Sequence, residues 1–221
     1  MPNIRKISDS TIHRLSLYYR ALTISEKDGY FTVSSQDLAK KERLTPAQVR
    51  KDLSFFGSFG TRGLGYPVKE LKEKIGSILG LNRTWDVALI GVGNLGSALA
   101  SYKEFQRQGF HIKLLFDNDP KKIGSAIDGI PILDIKQIGT QLKQNKIDLV
   151  ILTLPGSTAQ GVAEEVVRAG VKAILNFAPI SLKVPEDVFL RNENMAIELE
   201  YLSFCLKNRN IAWKNKSPDS N

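Results

Sequence analysis

The chain has 221 residues, and its 42% hydrophobic and 24% charged residues exclude global disorder, collagen and a coiled-coil rod. A single Cys and two His exclude a disulfide scaffold and leave little material for a metal site, so we expect no metal. The formal net charge is +8, no apolar run reaches membrane-spanning length and the N-terminus lacks a signal-peptide pattern, so we expect a cytoplasmic protein that binds no membrane.

The excess positive charge lies mainly in the first third of the chain. Residues 1–80 hold 14 Lys and Arg against 8 Asp and Glu, a net charge of +6. Residues 81–221 hold 17 against 15, a net charge of +2. A polyanion such as double-stranded DNA is the partner that a basic surface serves best. Charge alone leaves a solubilising surface open as the alternative.

The first domain, 1–82, is predicted to be a winged helix-turn-helix. Three successive segments have helical patterns, namely DSTIHRLSLYYRAL, VSSQDLAKK and TPAQVRKDLSFF. The short link between the last two and the basic character of the third place a helix-turn-helix at about 17–56. The glycine-rich segment that follows, at about 57–66, is predicted to be a β-ribbon that forms the wing.

Capping patterns mark the starts of the second and third helices. Ser34 and Asp37 have the spacing of a capping box before the second helix. Before the third helix, Thr45 can cap and Gln48 can complete a second box. These two starts support the helix-turn-helix assignment.

The third helix carries side chains suited to DNA. Gln48 and Arg50 can contact base edges, whereas Lys51 and Ser54 can hold phosphates. Arg62, at the tip of the predicted wing, can enter a minor groove. The alternative for the cations is a solvated helix face. The predicted DNA-binding residues are Ser35, Thr45, Gln48, Arg50, Lys51, Ser54 and Arg62.

The second part of the chain alternates strand-like and helical stretches. The strand-like runs are DVALIG, HIKLLFD, DLVILTLP and KAILNFAP. This alternation predicts an α/β domain, 83–186, with a parallel sheet covered by helices on both faces. The segment 187–221 is predicted to carry an amphipathic C-terminal helix, with an apolar stripe between Met195 and Leu206.

A glycine loop follows the first of these strands. GVGNLG matches G-x-G-x-x-G and opens a helix, the context of a Rossmann dinucleotide site. Gly91 allows the tight turn, Gly93 lets the backbone approach a pyrophosphate, and Gly96 lets the helix pack on the sheet. The helix N-terminus offers N–H groups to the phosphates. The predicted NAD and NADH contacts are Gly91, Val92, Gly93, Asn94, Leu95 and Gly96.

The end of the next strand predicts which dinucleotide binds. Asp117 stands 21 residues after Gly96, where a carboxylate accepts hydrogen bonds from a ribose 2′-OH and repels a 2′-phosphate. Asp119 adds to that repulsion, so NAD(H) is favoured over NADP(H). Lys121 and Lys122 could serve a 2′-phosphate, but we interpret them as a solvated helix start.

Two further strand exits should line the cleft at the carboxyl edge of the sheet. One exit is Thr153, Leu154 and Pro155. The other is Asn176, Phe177 and Ala178. Phe177 can pack on a nicotinamide ring or belong to the core. Asn176 can bond the amide of that ring or cap a turn.

No residue of the chain is predicted to be catalytic. His111 lies at the start of its strand, opposite the cofactor edge, while His13 lies in the first helix and Cys205 among apolar residues. A dinucleotide fold joined to a DNA-binding domain suggests that the ligand is a signal. The alternatives are a small NAD-dependent oxidoreductase and a CoA-binding module, and Asp117 argues against CoA.

These motifs together resemble a known family. The segments on which this resemblance is based are LSLYYR, VRKDLSFFGSFGTRGLGYPV, GVGNLG, LLFDNDPKKIG and ILNFAP. They are similar to the Rex family of bacterial redox-sensing transcriptional repressors, over roughly 7–206. The resemblance implies a homodimer with a winged helix, a Rossmann domain and a final helix exchanged between subunits. It also implies binding to a palindromic operator when NADH/NAD⁺ is low, release by NADH, and control of respiratory and fermentative genes.

The same resemblance implies a switch at the exchanged helix. Family members often carry an Asp at the start of that helix, where this chain has Asn194. That side chain exchanges polar partners between states, and the matching partners here are Arg20 and Tyr102. Because Asn194 can hydrogen-bond but carries no charge, a weaker ionic latch is expected in this chain.

Overall fold

The structure is a computed structural model, and the residues that it describes are 7–42, 44–57, 59–60 and 64–208. The chain divides into two compact units, Met1–Arg83 and Thr84–Asn221, here called the N-terminal and C-terminal units. Within the described ranges, no helix is long and apolar enough to cross a bilayer.

The N-terminal unit is helical with a small antiparallel ribbon. Its described helices are α1 (Asp9–Lys27), α2 (Ser35–Glu42), α3 (Pro46–Ser54) and α4 (Val68–Ile78). Strand β1 (Thr32–Val33) pairs with strand β2 (Tyr66–Pro67). The ribbon therefore takes one strand from before α2, whereas the glycine-rich pattern predicted the whole ribbon within 57–66. Residues 58 and 61–63 of that segment, including Arg62, lie outside the described residues.

The two predicted helix starts have different outcomes. The capping box of α2 is confirmed, since Ser34 N donates to Asp37 Oδ2 at 2.8 Å and Asp37 N donates to Ser34 Oγ at 3.1 Å. At α3, Thr45 Oγ1 accepts from Gln48 N at 3.2 Å. The return half of that box is wrong, because the Gln48 carboxamide donates instead to the Asp52 carboxylate at 2.8 Å. A charged acceptor one turn ahead outcompetes a neutral backbone group.

A buried carboxylate joins α3 to α1. Asp52 is fully buried, and its carboxylate accepts from Arg14 at 2.6 and 2.7 Å and from the Tyr18 hydroxyl at 2.8 Å. Burial alone would raise the pKa of Asp52, but hydrogen bonds from Arg14, Tyr18 and Gln48 hold this pKa below its ordinary value. The buried charge thus fixes how α3 is held on the core of the unit.

The C-terminal unit is an α/β fold built on a seven-stranded sheet. Its strands are β3 (Trp85–Ile90), β4 (Phe110–Asp117), β5 (Ala126–Ile127), β6 (Ile130–Asp134), β7 (Leu149–Leu152), β8 (Ala173–Asn176) and β9 (Phe189–Asn192). Its described helices are α5 (Asn94–Ala100), α6 (Lys103–Arg107), α7 (Ile138–Gln144), α8 (Gly156–Arg168) and α9 (Met195–Lys207). This architecture confirms the predicted α/β class.

The sheet is parallel apart from one edge. The strand order is β5-β6-β4-β3-β7-β8-β9, and β5 with β6 is the antiparallel pair. Residues of β3 alternate between two core clusters, with Ala88 and Ile90 in one and Val87 and Leu89 in the other. Apolar packing on both faces explains why the central strands are continuous apolar runs.

The order of the strands locates the ligand edge. From β3 the chain moves outward through β4 to β6, and then returns to the other side of β3 with β7. A reversal of this kind opens a crevice at the carboxyl ends of the strands. The exits of β3, β4, β7 and β8 therefore share one edge.

The segment 187–221 contains more than the predicted helix. Its β9 pairs parallel with β8 as the last strand of the sheet, so the sheet is not complete before 187. The strand was missed because FLRN is short and carries only two apolar residues. The helix that follows, α9, has no buried residue.

Because Arg14 and Asp52 form a largely buried ion pair, we expect a large loss of stability when the Arg14 side chain is truncated. Arg14→Ala leaves a buried carboxylate without its cation, which costs about 3 kcal/mol of the free energy of unfolding. Urea denaturation at pH 7 measures this loss. Arg107→Ala, which removes a surface partner of Glu104, should cost less than about 0.5 kcal/mol.

The same pair predicts the pH dependence of that loss. Because the folded pKa of Asp52 is lowered, its contribution is present above the unfolded pKa, about 3.9, and is lost as the pH falls through the folded pKa. The difference between wild type and Arg14→Ala should therefore narrow below about pH 4. A constant difference down to acid unfolding would contradict this assignment.

Candidate functional site

The glycine loop between β3 and α5 is held by close backbone contacts. Gly91 has φ +98°, and a Cβ there would lie 2.6 Å from Thr153 O. A Cβ on Gly96 would lie 1.9 Å from Gly91 O and 2.8 Å from Thr153 Oγ1. Neither position has room for a side chain. Gly91 and Gly96 are therefore required by the fold itself.

Gly93 differs from its two neighbours in the motif. It precedes α5 with φ −79° and ψ −165°, an extended conformation that other residues adopt. A Cβ there would have no heavy atom within 4 Å. The fold therefore leaves this space open in front of the N-terminal amides of α5. An open approach at the middle glycine fits a pyrophosphate lying against the backbone.

Asp117 lies beside this loop, and its carboxylate contacts both the loop and the turn after β4. The side chain is buried, and it accepts from Val92 N at 2.6 Å and from Asp119 N at 2.9 Å. Lys122 Nζ lies 3.4 Å from the carboxylate. Burial alone would raise the pKa of Asp117, but the two backbone bonds and Lys122 hold this pKa below its ordinary value. An ionised acceptor thus stands at the expected ribose position.

The lysines after β4 have distinct environments. Asp119 Oδ1 accepts from Lys121 N at 2.9 Å, which begins a turn and leaves Lys121 exposed. Lys122 instead turns toward Asp117. Lys121 is solvated as predicted, but the predicted helix start is wrong, because residues 120–124 form a turn. The contact of Lys122 with Asp117 was not predicted. The i, i+5 spacing of Asp117 and Lys122 carries no sequence signal that could have found it.

The exit of β7 supports the glycine loop. Thr153 Oγ1 donates to Gly91 O at 2.5 Å, and Thr153 N donates to Ile90 O at 2.9 Å. Leu154 packs against the larger core cluster, whereas Pro155 is exposed immediately before α8. Thr153 therefore positions the loop, and Pro155 faces solvent at the edge.

The exit of β8 is organised by a buried amide. Asn176 is fully buried, its Nδ2 donates to Ile180 O at 2.9 Å and to Asn192 Oδ1 at 2.8 Å, and its Oδ1 accepts from Ala178 N at 2.9 Å. Of the two predicted roles, these bonds match the turn rather than a nicotinamide contact. Phe177 is half-buried against the smaller core cluster, and Ala178 is buried.

The helix α3 presents one exposed face with two cations. Ala47, Arg50, Lys51 and Ser54 are all exposed and recur at the spacing of one helix face. Arg50 donates to Ser35 Oγ on α2 at 3.0 Å, so Ser35 supports this cation. Thr45 and Ser54 also bond within α3. The predicted DNA-binding residues on α2 and α3 thus lie together, while Arg62 lies outside the described residues.

The three predicted switch residues are spread over both units. Arg20 is exposed on α1, and Tyr102 is exposed before α6 with its ring 5.1 Å from that of Phe105. Asn194 caps α9, since its Oδ1 accepts from Ala196 N at 3.0 Å. Their predicted exchange of partners stays a prediction. Among the described residues, no cluster of His, Cys, Asp and Glu has the form of a metal site.

Comparison with known sequences decides the family. The redox-sensing transcriptional repressor Rex of Desulfitobacterium hafniense is 48% identical over 204 residues, which cover 92% of this chain and 97% of the relative. The chain belongs to the Rex family. A Rex of Roseiflexus sp. is 40% identical over the full length of both chains. Rex proteins are transcriptional repressors, so this chain is a redox-sensing repressor and not an enzyme.

Solved Rex structures share the whole fold. The crystal structure of RSP in complex with β-NAD⁺ and operator DNA matches with a TM-score of 0.88 at 40% identity, covering 97% of this chain and 99% of RSP. RSP in complex with β-NADH matches with a TM-score of 0.86 at 39% identity, covering 95% and 98%. RSP is described as a Rex-family repressor.

Two family models match successive parts of this Rex chain. The family described as "Putative DNA-binding protein N-terminus" matches residues 6–54, and the "CoA binding domain" family matches residues 82–180. The second model covers the glycine-loop fold that CoA modules share, whereas the full-length relatives are redox sensors. The Rex assignment therefore rests on the whole chain.

Gly93 and Gly96 have different steric surroundings, so their alanine variants form a matched pair. Gly93→Ala should change the free energy of unfolding by less than about 1 kcal/mol, because its Cβ meets no protein atom and only the preference at the helix N-cap is affected. It should weaken NADH binding roughly tenfold, since one extra methyl group in a filled contact costs about 1–3 kcal/mol. Thermal unfolding and NADH fluorescence titration measure the two effects.

Gly96→Ala is the counterpart. Its Cβ would overlap the Gly91 carbonyl, so we expect a loss of about 3 kcal/mol in the free energy of unfolding before any ligand is added. Equal NADH affinity in wild type and Gly93→Ala would show that no ligand occupies the space in front of Gly93.

Proposed function

We propose that this chain binds a palindromic operator as a homodimer when NADH/NAD⁺ is low, and that NADH releases it. The observation that carries the proposal is the combination, in one chain, of a basic helix-turn-helix face and a dinucleotide cleft left open at Gly93. The RSP complexes with operator DNA and with NADH support both halves. We also propose a cytoplasmic location and control of respiratory and fermentative genes.

The proposed nucleotide site follows the carboxyl edge of the sheet. The pyrophosphate lies against Gly93 and the amides of α5, and Asp117 accepts from the adenosine ribose. Lys122 lowers the charge of the ribose site without removing the carboxylate. The β7 and β8 exits complete the cleft, with Phe177 next to the nicotinamide. The ligand supplies the redox signal, and these residues bind and orient it.

The proposed DNA site is the exposed face of α3. Arg50, supported by Ser35, contacts base edges in the major groove. Lys51, Ser54 and the Thr45 hydroxyl bind phosphates, which fixes the register of the helix. Arg62 is proposed to enter the minor groove from the wing.

The proposed dimer is supported by the state of α9. Seven of its apolar side chains are between 55% and 74% exposed, and these are Met195, Ile197, Leu199, Tyr201, Leu202, Phe204 and Leu206. At 100° per residue they fall on two opposite sides of the helix. Glu198 lies between these sides on one flank, and a polar strip with Glu200, Ser203 and Lys207 lies on the other. A helix this apolar is stable when covered on most sides, which exchange into a partner subunit provides.

The proposed regions of the chain follow from these assignments. We propose 1–82 as the DNA-binding domain and 83–186 as the main NAD(H)-binding region. The segment 187–221 adds β9 to the sheet and provides the exchanged helix. Asn194, at the start of that helix, is proposed to exchange hydrogen bonds with Arg20 and Tyr102 between the two states.

The switch requires a difference in affinity between two states. NADH shifts the repressor away from DNA only if it binds the DNA-incompetent state better than the competent one, and by more than NAD⁺ does. A shift from almost fully bound to almost fully released needs a difference of about 10⁴-fold. The exchanged α9 links the two subunits, so the four domains change together.

Release from DNA tests the proposed function. With a labelled duplex from the promoter next to its own gene, fluorescence anisotropy should show binding that NADH abolishes and NAD⁺ largely preserves. Gly93→Ala should bind the duplex and need roughly tenfold more NADH for release. If NADH and NAD⁺ release the duplex at equal concentrations, the chain is not a sensor of their ratio.

The apolar surface of α9 tests the dimer. Leu199→Glu puts a charge in the proposed interface and should shift the sedimentation mass from dimer toward monomer at micromolar concentration, because burying an unpaired charge costs several kcal/mol. Ser203→Glu, on the polar strip of the same helix, is the matched control and should remain dimeric. Two variants with the same mass would contradict the exchange of α9.

A further inference from the structure

The buried carboxylate of Asp52 determines how the side chain of Gln48 is oriented on α3. Asp52 lies one helical turn after Gln48 on α3, and its Oδ1 accepts from Gln48 Nε2 at 2.8 Å. Gln48 is half-buried at the border between the buried face and the exposed face of α3. Its carboxamide therefore lies between the core of the unit and the surface proposed to face DNA.

The carboxylate has no freedom to turn away from Gln48. Oδ1 also accepts from Arg14 Nη2 at 2.7 Å, while Oδ2 accepts from Arg14 Nε at 2.6 Å and from the Tyr18 hydroxyl at 2.8 Å. Both donors belong to α1. A two-point contact from a guanidinium fixes the plane of a carboxylate as well as its position. Asp52 is thus oriented before any DNA is bound.

A fixed acceptor decides which end of the Gln48 carboxamide faces inward. The amide nitrogen donates to the Asp52 carboxylate, whereas the amide oxygen in that place would meet a negative charge. Oε1 is therefore held on the outer side, together with the second N–H of Nε2. This pair is an acceptor next to a donor, in a known order.

We propose that Gln48 recognises adenine in each operator half-site, and that Asp52, held by Arg14 and Tyr18, is the positioning residue that sets this choice. Adenine presents the N6 amino group as donor and N7 as acceptor, which match the oxygen and the remaining N–H of Gln48. Guanine presents O6 in place of the amino group, so the outward Oε1 faces another acceptor. The inference rests on the proposed DNA contact by α3.

Base preference at single positions tests the inference. The full-length protein first selects its palindromic site from randomised duplexes, and its affinity is then measured for symmetric A-to-G changes in both half-sites. Wild type should prefer adenine roughly tenfold at one position of each half-site. Gln48→Ala should lose that preference and keep the others. Gln137→Ala, at an exposed residue of the C-terminal unit, is the control and should keep the whole profile.

Variants of Asp52 and Tyr18 distinguish an effect on the orientation of Gln48 from an effect on the stability of the fold. Asp52→Asn can donate as well as accept, which lets the Gln48 carboxamide turn over, so the adenine preference should fall from roughly tenfold to about twofold. Tyr18→Phe removes one bond to Oδ2 and leaves both bonds to Oδ1 in place. It should lower stability and keep the adenine preference. An unchanged preference in folded Asp52→Asn would overturn the positioning role.

A measurement on wild type covers the case in which Asp52→Asn does not fold. In the full chain without DNA, the side-chain amide protons of Gln48 should exchange with solvent at least about tenfold more slowly than those of exposed Gln137, because one is held by the carboxylate. Equal exchange would overturn the inference. Failure of wild type to select any duplex would instead contradict the proposed function, and the amide measurement would still decide the state of Gln48.

Discussion

The fold of the C-terminal unit depends on the close approach of two strand exits around the glycine loop. Gly91 and Gly96 admit no side chain because the backbone and hydroxyl of Thr153 lie against them. That contact sets where α5 begins, and therefore where its amides point. Asp117 then fixes the loop from the other side through Val92 N. Gly93, which none of these contacts requires, is left as the opening for a ligand.

In the N-terminal unit, a largely buried ion pair fixes the orientation of the helix that carries the proposed binding surface. Asp52 is a charge buried among apolar residues, and three of its four hydrogen bonds join α3 to α1, while the fourth comes from Gln48 within α3. Buried ion pairs contribute little to net stability, but breaking one is costly. The arrangement therefore favours one orientation of α3 over the alternatives. In the proposed complex this precision matters, because affinity would depend on the register of two such helices on one duplex.

The sequence predicted the features that carry a local signal. The strands β3, β4, β7 and β8 are continuous apolar runs, and the motif at Gly91–Gly96 has a fixed spacing. The short strands β5 and β9 were missed because two to four residues with mixed polarity have no period of their own. Lys122 and the Arg14–Asp52 pair were missed because they are contacts between groups brought together by folding. A carboxylate between Val49 and Leu53 on a buried helix face was nevertheless a signal for a cation partner.

The central claim is that nucleotide binding in one unit and DNA binding in the other are coupled through the dimer. Thermodynamic linkage makes that coupling reciprocal. Operator DNA must therefore lower the affinity for NADH by the same factor by which NADH lowers the affinity for operator DNA. Calorimetric titration of the full-length protein with NADH, alone and saturated with operator duplex, measures this directly. We expect the dissociation constant for NADH to be at least about tenfold larger on the DNA complex than on the free protein. Equal dissociation constants in the two titrations would contradict it.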